Sequence, residues 1–99
     1  MVICGQEFDF SALNANDIDR VETAQRHMEA ASDREKQRQH TGIADVLRGQ
    51  CRLVMNYLDE VLGEGASERL GLDSNDFGAC TRVMNAFKDA CTAEQETVK

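Results

Sequence analysis

The stretch GIADVLRGQCRLVMNYLDEVL, Gly42–Leu62, decides how the rest of the chain is read. At helical spacing, Ile43, Leu47, Cys51, Val54, Leu58, Val61 and Leu62 fall on one face. Val46, Leu53 and Tyr57 fall together about 100° round the axis. An apolar arc that wide predicts a helix over about 42–62 that touches neighbours on two sides, so it is a central element. Gly63 and Gly65 mark its end.

Working outward, the N-terminal side carries a second helical pattern. Asn14 is placed to cap with Asp17 at N3, and Ile18, Val21, Ala24, Met28 and Ala31 follow at spacings of three and four. This predicts a first helix over about 15–38 with a thin apolar stripe. From Ser32 to Gly42 no large apolar residue occurs, which fits either a solvated helical extension or a loop. On the C-terminal side, ASERLGL makes a short helical turn at 66–70 with Leu70 and Leu72 inward. Asp73-x-x-Asp76 then reads as a cap, with Leu72 and Phe77 as a hydrophobic staple. A third helix over about 74–92 follows, its seam formed by Phe77, Cys80, Met84, Phe87 and Cys91, and residues 93–99 read as a frayed tail.

The start of the chain departs from this helical period. VICGQEFDF, Val2–Phe10, alternates around Gly5-Gln6, which predicts a hairpin over 1–10 with those two residues as a type II′ loop. Ile3 then pairs with Phe8 and Met1 with Phe10, so that all four share one apolar face. A loop one residue earlier is expected to spoil that face by setting Ile3 opposite Gln6. A lone hairpin is marginal in water, so its apolar side must lie on helices or on a partner. The fold class is therefore mainly α: a two-stranded N-terminal hairpin followed by a bundle of about three helices in one domain, 1–99. The absence of proline suits such helices.

Composition narrows the function classes. Eighteen acids against eleven bases give a net charge of -7, which repels phosphate backbones and argues against nucleic acid and anionic membrane as partners. No apolar run approaches the roughly 20 residues of a membrane span, and no basic leader precedes Val2, so a soluble cytoplasmic protein is expected. Cys4, Cys51, Cys80 and Cys91 form no CxxC and match no zinc or redox spacing, so reduced buried thiols are expected. Cys80 and Cys91 lie about 16 Å apart along one helix and cannot pair there.

Candidate chemistry fails residue by residue. Asp73, Asn75 and Gly78 occupy positions 1, 3 and 6 of a calcium loop, but position 5 is Phe77 and position 12 is Met84, where a bidentate glutamate is needed. His27 and His40 have no ligand set at helical spacing and read as solvated. The carboxylates of Asp17 and Asp19, and of Asp59 and Glu60, diverge around their helices. GEG at Gly63–Gly65 lacks the lysine and the strand of a phosphate loop. No catalytic, cofactor-binding or metal-binding residue is predicted. What remains is apolar surface, above all the Val46, Leu53 and Tyr57 flank, as a candidate groove for a helical partner or another copy of the chain.

With its G-x-x-F-x-F hairpin (Gly5, Phe8, Phe10), long polar helix, L-D-E-V-L-G-E-G run at Leu58–Gly65 and capped amphipathic final helix, the chain resembles tail assembly chaperones of long-tailed bacteriophages and prophages. The resemblance covers most of residues 1–92. It implies a non-enzymatic protein of the host cytoplasm that binds the helical, aggregation-prone tape measure protein, self-associates, and exists in a short and a frameshifted longer form. No cofactor is implied. The alternative from composition is a small acidic protein that mimics DNA or blocks an enzyme. Its acids should cluster on one face, whereas nine lie in residues 1–51 and nine in 52–99. An enzyme built on Cys51 or Cys80 is disfavoured, because thiolates are disfavoured on apolar seams.

Overall fold

The computed structural model describes residues Met1–Thr97. Two short strands, β1 (Val2–Ile3) and β2 (Gln6–Glu7), form an antiparallel hairpin. Four helices follow: α1 (Ala15–Gln37), α2 (Ile43–Leu62), the single turn α3 (Ala66–Arg69) and α4 (Phe77–Glu96). The molecule is elongated, 47 × 26 × 23 Å. The expected class, a mainly helical chain behind an N-terminal hairpin, is the class observed.

The amphipathic pattern of α2 explains its position. Cys51, Leu58 and Val61 are completely buried, with Val54 and Leu62 beside them. α1 packs along one side of α2 and α4 along another, while α1 and α4 have little direct contact with each other. The helices form a bundle organised around α2, wedge-like and open between its two outer members. Asn14 caps α1 by accepting the Asp17 amide at 3.1 Å. α1 stays helical to Gln37, so most of the polar stretch is an extension of the helix.

The hairpin keeps its expected face in a different register. Val2 pairs with Glu7 and Ile3 with Gln6, so the loop is Cys4-Gly5, with φ of +50° and +80° at its two positions. Positive φ at both central residues marks a type I′ turn, not the expected type II′ turn at Gly5-Gln6. Moving a two-residue loop by one position changes each cross-strand partner by two residues. Because the side-chain period is also two, every residue keeps its side of the sheet. Ile3, Phe8 and Phe10 are therefore buried, Met1 is partly so, and Gln6 takes the exposed place at the tip. Phe10 stacks edge-on against Phe87 of α4, their centroids 5.3 Å apart, and Arg69 of α3 lies 4.4 Å over the Phe8 ring.

The last helix differs from expectation at both ends. It starts at Phe77, not near 74, because Asp76 is the residue that caps it, accepting the Ala79 amide at 3.0 Å. Asp73 instead accepts the Asn75 amide at 2.7 Å in a local turn that keeps residues 73–76 out of the helix. At the other end, α4 runs through the expected frayed segment to Glu96. Glu94 holds it there, accepting from the Ala12 amide at 2.8 Å and from Ser11 Oγ at 3.4 Å. Val98 and Lys99, also in the expected tail, lie outside the described residues.

Candidate protein-binding groove

The residues expected to form an uncovered flank do not share one environment. Leu53 and Tyr57 are buried, because α1 lies over that side of α2; only Val46 is exposed. The picture of a free Val46, Leu53 and Tyr57 surface is therefore corrected. Val46 stands instead with Ile43, 80 % exposed, and Leu47, on a two-turn overhang of α2. Ile43 and Leu47 continue the buried face of α2 in sequence, yet no helix covers them. α4 begins too low: Cys80 in its first turn meets Cys51, and Asn75 just before it accepts from Arg48 Nε at 3.0 Å.

Leu53 and Tyr57 still contribute to a site, as parts of the floor between the two outer helices. Where α1 and α4 diverge, Met28 of α1 and Met84 of α4 face each other across Val54 and Tyr57, around a groove of about 240 Å³. Its rim carries Gln25, Thr81, Asn85 and Lys88. Past Gln25 and Met28 the groove continues between α1 and α2, over Leu53, with Glu29, Ser32 and Gln50 along it. The two methionines are flexible, polarisable walls that adapt to differently shaped apolar side chains. Burial pushes the Tyr57 phenol above its ordinary value, so it is a neutral hydroxyl in this floor.

The ionisable residues weighed for chemistry serve as local struts. Asp17 pairs with Arg20 at 2.6 Å and Asp59 accepts from both the amide and the hydroxyl of Ser67. His27 is not solely solvated: its Nδ1 lies 2.8 Å from Glu60 on the neighbouring helix. His40 Nε2 lies 3.2 Å from Glu35 at the α1–α2 turn. There Arg38 bridges Glu35 and Asp45, at 2.7 and 3.0 Å, and its guanidinium hydrogen bonds hold both carboxyls below their ordinary values. Among the described residues no three His, Cys, Asp or Glu side chains are grouped to hold a metal ion. Cys51 and Cys80 are fully buried, and burial pushes the Cys80 thiol up to about 11. A thiol so raised is a poor nucleophile at neutral pH. Among the described residues no helix is long and apolar enough to cross a membrane.

A family model matches residues 4–99, nearly the whole chain. The chain belongs to DUF6673, a family of unknown function. The match includes both halves of the groove and every helix of this DUF6673 chain. No curated protein and no solved structure matches it.

The methionine walls were visible in the sequence only as ordinary members of two apolar stripes. Nothing in a single sequence signals that the α1 and α4 stripes, both satisfied by α2, stay apart from each other.

Proposed function

We propose that this protein is a non-enzymatic chaperone of phage tail assembly, which binds an apolar helical segment of the tape measure protein in the bacterial cytoplasm and keeps it soluble. The observation that carries the reading is the groove between α1 and α4, apolar at its floor and open along one side, of the kind that receives an amphipathic helix. The exposed Ile43, Val46 and Leu47 overhang adds apolar surface along the same central helix. The sequence resemblance on Gly5, Phe8, Phe10 and Leu58–Gly65 supplies the identity of the partner. A net charge of -7 suits a holdase, since a strongly charged body keeps a complex with an aggregation-prone chain dispersed.

The test is coexpression with fragments of the long open reading frame expected downstream of this gene. The proposal expects the soluble yield of a helical tape measure fragment to rise and the pair to co-elute on a sizing column. Unchanged yield with separate elution overturns it.

A further inference from the structure

We propose that the groove between α1 and α4 selects a basic amphipathic helix: its apolar face lies on Met28, Val54, Tyr57 and Met84, and its lysine or arginine flank lies against the rim of α1. This rests on the reading of the protein as a holder of helical segments, and adds the chemistry of the segment and the side on which it is read.

The two rims differ in charge. On α1, Gln25, Glu29 and Ser32 line the groove at spacings of four and three, an edge whose one charge is negative. Glu29 has no ion-pair partner among the described residues, unlike Glu35 and Asp45 at the α1–α2 turn. On α4 the rim is Thr81, Asn85 and Lys88, whose one charge is positive. A helix with cations on one flank and neutral or acidic residues on the other complements both edges in one orientation only. The charge of the whole chain acts in the same direction, drawing a cationic segment in before contact is made.

The length of the segment follows from the floor. From Gln50 to Tyr57 the groove spans about 10 Å of α2, and the overhang to Val46 extends it to about 16 Å, so three turns of a partner helix present anchors at i, i+3 or i+4, and i+7. Residues on this floor are largely covered by their own neighbours, so the contact is shallow. Selectivity therefore comes from the rim more than from the depth of the pocket.

The experiment uses the full chain and three fluorescein-labelled helical peptides of about 16 residues. They share one leucine face and differ only in flanks of lysine, glutamine or glutamate, and binding is read by anisotropy. The lysine peptide is expected to bind roughly tenfold more tightly than the glutamate peptide, with the gap closing as salt is raised. Glu29→Lys, at an exposed position, weakens the lysine peptide about two- to fivefold and strengthens the glutamate peptide. Asn85→Trp, also exposed, plugs the groove and weakens all three. Circular dichroism confirms that both variants are folded. Equal binding of the three peptides, still lost in Asn85→Trp, overturns the charge selection and leaves the helix-holding reading standing. Binding indifferent to Asn85→Trp, or tighter binding of the glutamate peptide, overturns the proposal. So does no binding at all, and the coexpression assay then decides separately whether the chaperone reading survives. A dimer that Asn85→Trp converts to monomer in sedimentation overturns it in favour of a second copy as the occupant.

Discussion

Replacing Phe87 by alanine tests the packing that fixes α4 and the hairpin on α2. Its ring is 2 % exposed and meets Phe10 edge-on at 5.3 Å and Tyr57 at 6.3 Å, so one side chain ties the hairpin, α2 and α4 together. Truncating a buried phenylalanine costs about 3–5 kcal/mol, and two edge-on aromatic pairs place this site in the upper half of that range, about 4–5 kcal/mol. A chain of 99 residues has a total stability of about 5–15 kcal/mol, so the variant loses about a quarter of it or more. With an unfolding entropy of about 2.1 cal/mol/K per residue, the melting temperature falls by about 20 °C. Phe87→Leu retains most of the volume and loses both ring edges, at about 1–2 kcal/mol. Urea unfolding followed by circular dichroism measures both, with Ile43→Ala as the control. That side chain is 80 % exposed and its loss is worth within about 0.5 kcal/mol. A cost below about 2 kcal/mol for Phe87→Ala at unchanged m-value, or an equal cost for Ile43→Ala, refutes the packing described.

Glu94→Ala removes the acceptor for the Ala12 amide and Ser11 hydroxyl, and urea unfolding should show a loss of about 1–2 kcal/mol; a frayed terminus would show none. Gly49→Ala would place a methyl group on the Glu35 carboxylate, the flexible end of a side chain, while relieving the helix of a glycine. Stability should therefore change by less than about 1 kcal/mol, while an NMR titration shows the Glu35 carboxyl rising toward its ordinary value. In the parent protein both Glu35 and Asp45 are depressed below 4.5 and 3.8, chiefly by Arg38. Their contribution is thus present in full above those values and is lost as pH falls through the lower folded-state values. Arg38→Met should remove the larger part of that acid-range dependence, leaving what the Thr41 amide and His40 supply, read from the same titration. With a thiol reagent at pH 8, Cys4 should react at once and Cys91 more slowly, while Cys51 and Cys80 react only on unfolding.

The helices were legible because their signals are local and redundant. The Asn14 cap, the glycines after Leu62 and the 3.6-residue stripes each specify an element without reference to the rest of the chain. The face of the hairpin was legible for the same reason, since the alternation of Ile3, Phe8 and Phe10 is independent of where the loop falls. Its register was not, because Cys4-Gly5 and Gly5-Gln6 are both possible loops and they differ by a tertiary choice. The start of α4 is ambiguous in the sequence because Asp73 and Asp76 are both capping residues, and only the Asn75 turn decides between them. The site was the least legible part. At helical spacing Val46, Leu53 and Tyr57 share a second flank of α2, but the identity of the helix covering each turn depends on where α1 and α4 lie, which no periodicity encodes. Ile43 and Leu47 show the limit most clearly: their spacing says core, and the late start of α4 leaves them in solvent.

The most direct test of the central claim, that the open side of the α1–α2–α4 wedge is where a helical partner lies, is site-specific photocrosslinking. Benzoylphenylalanine is placed at Gln25 or Asn85 on the two rims, or at Glu68 on α3 as an exposed control, and each full chain is coexpressed with a helical tape measure fragment. Crosslinks to the fragment from both rim positions and none from Glu68 are predicted. A crosslink from Glu68 with silent rims would contradict the claim.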